Sequence, residues 1–203
     1  MITYLGTDYG GWNVDLDLIP EGSTVVCAGV GEDISFDLEL IKRKGVRVVG
    51  IDPTEKSKEF MKWNMPSKKY VFLNEALAVR NNDELVMYRN MNPQHVSDSL
   101  YQEHKSVSNL YYIVKTINLE AIYDRFEDVS LIKMDIEGGE YEIIPEIVFI
   151  PESVKQICVE FHHFCCPTKT VHDTRRCVDH ICKLGFEISS VNDSSTEYLL
   201  VRT

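Results

Sequence analysis

Residues 23–54 read STVVCAGVGEDISFDLELIKRKGVRVVGIDPT, and the order of elements in this stretch decides the fold. Val25, Val26 and Ala28 form an apolar run that stops at Gly29-Val30-Gly31. Ile34, Leu38 and Ile41 then fall at helical spacing until Gly45 stops the helix, and a second apolar strand, Val46 to Ile51, ends at Asp52. Strand, glycine turn, helix and second strand make a nucleotide-cofactor half-site. Asp52 lies a little over twenty residues past the glycines, where a carboxylate at a strand tip can accept hydrogen bonds from both hydroxyls of an adenosine ribose.

The glycine loop separates the candidate cofactors. A pyrophosphate loop of the form GxGxxG needs a third small residue where helix and strand pack closely, and this chain has Ile34 there. Glu32 and Asp33 sit where the helix begins, and two carboxylates there repel a pyrophosphate, whereas S-adenosylmethionine carries an ammonium and a sulfonium and no phosphate. The loop therefore favours S-adenosylmethionine over a nicotinamide dinucleotide. In a purely structural reading the glycines only turn the chain and Asp33 caps the helix, and the distant Asp52 in register argues against it.

The chain is long enough for one ordinary core, and no linker or low-complexity run divides it, so 1–203 is expected to be one domain with 1–22 packing on it. Acidic residues outnumber basic ones by 32 to 21, a field that pushes away a phosphate backbone and argues against nucleic acid as partner. No apolar run is long enough to span a bilayer, and the first six residues, Met-Ile-Thr-Tyr-Leu-Gly, lack the pattern of a secretion signal, so a soluble cytoplasmic protein is expected. Six cysteines occur without a CxxC pair. Cys177, His180 and Cys182 do not share a helix face, and Cys165 and Cys166 cannot both point one way on an extended chain, so free thiols are expected and structural zinc is not.

Further along, Lys56 to Asn64 reads as a helix and Tyr70 to Leu73 as a strand. Ala76 to Val79 and Leu85 to Tyr88 read as two short strands around the turn Asn81-Asn82-Asp83, an added ribbon, and 89–112 as an irregular working loop. Leu119 to Phe126 is a short helix, Val129 to Met134 a strand, and Gly138-Gly139 turn the chain into a helix ending near Pro145. Val154 to Phe161 is a strand apolar on both faces, and Thr170 to Leu184 is a helix with Val171, Val178, Ile181 and Leu184 inward. Phe186 to Val191 and Tyr198 to Val201 close the sheet as an antiparallel pair. The alternation predicts a doubly wound, mostly parallel α/β sheet with ligands outside the carboxyl ends of its strands.

Those ends deliver Gly29, Val30, Gly31, Glu32 and Asp33, then Asp52 and Pro53, Ala76, Asp135 and Glu137, and finally Glu160, His162 and His163. Glu160 and His162 are two apart and face the same way if the strand persists, while spacing does not choose between His162 and His163. Methyl transfer to a hydroxyl needs an in-line arrangement and a proton acceptor. His162 is the expected base, with Asp135 and Glu160 positioning the acceptor. Lys133, on the same side as Asp135, makes that carboxylate an orienting or metal-binding group sooner than a base.

These blocks resemble the FkbM-type S-adenosylmethionine-dependent methyltransferases over most of the chain. LIKMDIEGGEYEII, Leu131 to Ile144, is similar to the family's KxDxEGxE element; GVGEDISFDLELI and IDPTEKS resemble its cofactor loop and ribose-acid strand; MNPQHVSDSL, VKQICVEFHH and EYLLVR resemble its polar loop, fifth strand and last strand. The resemblance implies a seven-stranded class I methyltransferase fold, S-adenosylmethionine as donor, and O-methylation of sugar units in glycans, glycolipids or polyketide-derived compounds. It places Gly29, Gly31 and Asp33 in the cofactor loop, Asp52 at the ribose, Asp135, Glu137 and Glu140 in the fourth-strand element, and Glu160 and His162 on the fifth strand. His95, Ser97 and Ser99 match the polar loop. Two departures stand out: Cys27 occupies the position where many class I enzymes place an acid against the cofactor ammonium, leaving Glu32 or a water for that contact, and Asp33 stands where most have glycine. The expected function is transfer of a methyl group to a hydroxyl, foremost on a sugar of a glycan or glycoconjugate; a small natural product, a lipid or a protein side chain is the alternative acceptor. A nicotinamide oxidoreductase and a non-catalytic binding module are the rivals. A divalent metal bridging Asp135 and Glu160, and a homodimer, are left open by the sequence.

Overall fold

The computed structural model describes residues 1–203. The chain opens with a hairpin of β1 (Ile2–Leu5) and β2 (Trp12–Asp15). It continues through β3 (Thr24–Ala28), α1 (Ser35–Lys44), β4 (Arg47–Ile51), α2 (Glu55–Asn64), β5 (Tyr70–Leu73), β6 (Ala76–Leu77), β7 (Glu84–Asn90) and β8 (Val107–Ile117). The remainder is α3 (Leu119–Arg125), β9 (Val129–Met134), α4 (Glu140–Ile143), β10 (Gln156–Glu160), α5 (Val171–Lys183), β11 (Phe186–Val191) and β12 (Glu197–Arg202).

Seven strands form one sheet in the order β11-β12-β10-β9-β3-β4-β5. β3 pairs in parallel with β4 and β9, β10 pairs in parallel with β9 and antiparallel with β12, and the last two strands are antiparallel. The doubly wound, mostly parallel sheet is as the sequence predicted. Every residue of β3 and β9 is buried, because helices cover both faces. Alternation along β3 sends Val26 and Ala28 into one core with α3, α4 and α5, and Val25 and Cys27 into the other with α1, α2 and the N-terminal hairpin. After β5 the chain returns to lay β9 on the opposite side of β3, so the strand order reverses between these two and opens a crevice at their carboxyl ends.

Four local expectations are corrected. In α1 the buried residues are Phe36, Asp37 and Leu40, while Leu38 is 41% exposed: the helix starts at Ser35, and contact with the sheet and β1, not apolar content alone, sets its rotation. In α5 the inward residues are Thr174, Cys177, Val178 and Ile181, and Val171 is exposed in the first turn, beside the capping box that Thr170 and Asp173 form. The two short strands do not pair with each other: β6 and β7 each pair with β8, in parallel and antiparallel respectively, giving a three-stranded sheet. β8 takes up the last six residues, 107–112, of the stretch read as irregular and extends beyond it. Burial alternates from Tyr111 to Thr116, but the exposed face carries the apolar Tyr111 and Ile113, with Leu110 exposed beside them, so the usual alternation of apolar and polar side chains is missing.

Candidate functional site

The crevice is built first by the glycine loop. Gly29 has φ of +84°, and a Cβ there would lie 1.8 Å from the carbonyl oxygen of Asp135, so only glycine lets the loop touch the end of β9. Asp52, at the tip of β4, reaches back to this loop. Its Oδ2 accepts from the backbone N–H groups of Val30 and Gly31, both at 3.0 Å, and its Oδ1 accepts from the N–H (2.8 Å) and hydroxyl (2.6 Å) of Thr54. Thr54 in turn caps α2. The carboxylate thus takes four protein donors, about as many as its lone pairs can serve. Ribose hydroxyls at this position would share or displace these bonds.

Asp33 accepts from the Ser35 N–H at 2.7 Å and from the Thr7 hydroxyl, which ties the N-terminal hairpin to the glycine loop. Glu32 is exposed at the mouth. Ile34 is buried in the core, filling the place that a dinucleotide loop keeps small. Cys27 faces away from the crevice toward the buried Asp37, whose carboxylate accepts from Tyr70 Oη at 2.8 Å. Burial pushes the Asp37 carboxyl up and holds the Cys27 thiol well above its ordinary value.

The opposite wall comes from the turn after β9 and the end of β10. Glu137 (φ +54°) and Gly138 (φ +106°) bend the chain so that the fully buried Glu140 folds back, accepting from Ile136 N–H at 2.8 Å and Gly138 N–H at 2.9 Å. Against it packs His162, whose Nδ1 stands 3.2 Å from Glu140 Oε1 and whose Nε2 lies 3.5 Å from Glu137 Oε2 and 3.7 Å from Asp135 Oδ1. Burial opposes charge on this ring, but Glu140, Glu137 and Asp135 outweigh it and hold the imidazole well above the ordinary histidine range. Lys133 donates to the Gly29 carbonyl at 3.0 Å and lies 3.6 Å from Asp135 Oδ2, linking the two walls. Burial, reinforced by the Asp135 charge, pushes Glu160 up to about 8.

Between the walls is a cavity of about 360 Å³. Seven carboxyl groups line it, on Glu32, Asp33, Asp52, Asp98, Asp135, Glu137 and Glu160, against the single lysine, Lys133. Such a cavity repels phosphate and attracts a cationic ligand. Tyr9 and Gly10 of the N-terminal hairpin line one rim, and His95 to Asp98 line another.

A model of the methyltransferase FkbM domain matches residues 26–188. The chain belongs to the FkbM methyltransferase family. Among curated proteins none matches the sequence significantly. Among solved structures, the fibrillarin/Nop5p complex superposes with a TM-score of 0.51 at 14% identity, covering 91% of this chain and 75% of that one. Precorrin-6y C5,15-methyltransferase from Geobacter metallireducens GS-15 gives 0.49 at 10% identity, covering 91% and 81%. Aeropyrum pernix fibrillarin with bound S-adenosyl-L-methionine gives 0.49 at 10%, covering 93% and 68%. The shared fold is the class I methyltransferase fold. By family and fold the FkbM chain is an S-adenosylmethionine-dependent methyltransferase.

In this FkbM methyltransferase the residues expected from sequence converge: Gly29, Val30, Gly31, Glu32, Asp33, Asp52, Pro53, Ala76, Asp135, Glu160 and His162 all line the one cavity. His162 is the buried site histidine, whereas His163 turns away to Thr174 Oγ1 at 3.0 Å. His95 and Ser97 line the cavity, but Ser99 is buried and donates to the Glu137 carbonyl at 2.6 Å, a bond that positions the turn. One expectation is overturned. Cys165 and Cys166 do converge, with sulfurs and a His104 nitrogen all within 4.8 Å of one another, because 162–166 is a tight turn in which both cysteine N–H groups bond the His162 carbonyl. All six cysteines are unpaired thiols. Sequence reasoning missed Lys133 as the tie to Gly29, and His104, which comes from a polar loop without periodicity. No helix is long and apolar enough to cross a membrane.

Proposed function

We propose that this methyltransferase transfers the methyl group of S-adenosylmethionine to a hydroxyl of a sugar in a glycan or glycoconjugate. The observation that carries the reading is the convergence of Asp135, Glu137 and Glu160 on one cavity opposite the cofactor loop, where carboxylates can each accept hydrogen bonds from two neighbouring sugar hydroxyls. The acceptor oxygen bonds to the methyl carbon as the carbon–sulfur bond breaks, and sulfur keeps the electron pair. The hydroxyl proton must leave at the same time.

His162 was the expected proton acceptor, and its surroundings speak against that part: a ring held charged by three carboxylates has no lone pair to offer. Glu160, pushed up to about 8, is closer to the value at which a base is most effective near neutrality, and we assign the proton to it. Asp135 and Glu137 hold the acceptor. The test is transfer of label from methyl-labelled S-adenosylmethionine into an extract of the source cells, fractionated into glycan, lipid, protein and small molecules. Label in the glycan fraction is expected. Label confined to lipid or small molecules keeps the enzyme and overturns the sugar.

A further inference from the structure

On the cavity wall the ligand-capable atoms of Asp135, Glu137 and His162 all lie within 4.8 Å of one another. Two atoms bound to one cation at metal–ligand distances of about 2.0–2.2 Å stand roughly 2.9–3.6 Å apart. His162 Nε2 is 3.5 Å from Glu137 Oε2 and 3.7 Å from Asp135 Oδ1. These separations exceed good hydrogen bonds and sit at, or just past, the upper end of the cation range, so small side-chain adjustments close the set.

Two buried imidazole nitrogens without hydrogen-bond partners face carboxylates at and beside this cluster, Glu140 and Glu137. His162 is 3% exposed, and its Nδ1 makes no hydrogen bond while facing the Glu140 carboxylate at 3.2 Å. That carboxylate holds the proton on Nδ1, so a cation that displaces the proton from Nε2 meets the ring's lone pair between Asp135 and Glu137, which is how a carboxylate orients a metal-binding histidine. His104 is also buried. Ser106 N–H donates to its Nδ1, so its ring proton lies on Nε2, which has no hydrogen-bond partner and faces Glu137 Oε2 at 3.4 Å. His104 thus backs Glu137 as Glu140 backs His162. Lys133 is the only lysine or arginine on a wall that also carries Glu160, so a divalent ion would offset a local excess of negative charge.

We propose that Asp135, Glu137 and His162 bind one divalent transition-metal ion whose remaining positions face the cavity and take the acceptor hydroxyl. One imidazole with two carboxylates suits ions such as Mn²⁺ better than the all-oxygen shells that Mg²⁺ and Ca²⁺ prefer. The metal acts as a Lewis acid without changing oxidation state: it makes the hydroxyl more acidic, the proton passes to Glu160, and the oxygen attacks the methyl carbon. This chemical part rests on the proposed hydroxyl acceptor.

The binding test contains neither donor nor acceptor, so a wrong acceptor leaves its result unchanged. The full chain, dialysed against chelator, is titrated with Mn²⁺ while the electron paramagnetic resonance signal of the unbound ion is followed. One ion per chain is expected. Glu137→Gln and His162→Gln are each expected to weaken binding at least ten-fold while retaining S-adenosylmethionine affinity, which certifies the fold. A wild-type chain that binds S-adenosylmethionine but leaves the Mn²⁺ signal unchanged to millimolar concentration overturns the site, as does equal Mn²⁺ affinity in both folded variants. His162 would then be the imidazolium that counters three carboxylates.

Discussion

The Glu140 carboxylate, with no exposed surface, faces His162 Nδ1 at 3.2 Å while taking the backbone N–H groups of Ile136 and Gly138. One side chain therefore holds both the turn that follows β9 and the imidazole that follows β10. Glu140→Ala strands one buried and one partly buried donor and is expected to lower stability by roughly 2–4 kcal/mol. The check is a urea midpoint that falls while the slope of the transition stays constant. An unchanged midpoint would mean the turn holds itself.

Asp52 binds the glycine loop and Thr54 through four donors, so its removal loosens the loop as well as any ribose contact. Asp52→Ala is expected to weaken S-adenosylmethionine binding by roughly ten- to a hundred-fold, the worth of one charge-assisted hydrogen bond. Calorimetric titration measures it. A dissociation constant equal to that of the wild type sinks the assignment of Asp52 to the cofactor site.

Glu160 gives a pH signature in two observables. As the proton acceptor it works only when ionised, so turnover should rise with pH through about 8. Glu160→Gln should flatten that limb and lower the rate by about a hundred- to ten-thousand-fold. Because its folded value lies above the unfolded one of about 4.3, the native state holds the extra proton between the two, and stability falls as pH rises through that window. The melting temperature of Glu160→Gln should therefore exceed that of the wild type above pH 8, with the gap closing toward acid; a gap that stays constant removes Glu160 from this role.

Two glycines with left-handed backbone separate strain from contact. At Gly22 (φ +73°) a Cβ meets nothing within 4 Å, so Gly22→Ala should cost only the backbone term, about 1–2 kcal/mol. At Gly29 (φ +84°) the Cβ would collide with the Asp135 carbonyl. Gly29→Ala should cost clearly more, and should also abolish cofactor binding, because the loop must leave the end of β9. Similar thermal shifts in the two variants would show that the loop yields easily.

The strands that precede Asp135 and Gly29 were legible because they are short, mostly apolar and bounded by acid and glycine. β8 was not. Its exposed Leu110, Tyr111 and Ile113 break the alternation of apolar and polar residues, and its partners β6 and β7 lie on opposite sides of it, beyond what local pattern encodes. The same limit applies to Leu38, an apolar residue at helical spacing that faces solvent, while the polar Asp37 of α1 is buried where Tyr70, on β5, supplies its hydrogen bond.

Hydrophobic period, glycine placement and the acid at each strand end determined the doubly wound sheet, the cofactor loop and the residues that would meet at its carboxyl edge. These are short-range properties, since periodicity and turn chemistry act over a few residues. Only the tertiary structure decided what those residues do to one another. Three carboxylates from one turn close around His162, His104 arrives from a distant loop to back Glu137, and Asp52 bends onto the loop it was expected to flank. Burial and proximity set the charge state and the hydrogen bonds of each group, and both arise only when segments far apart in the chain are packed together.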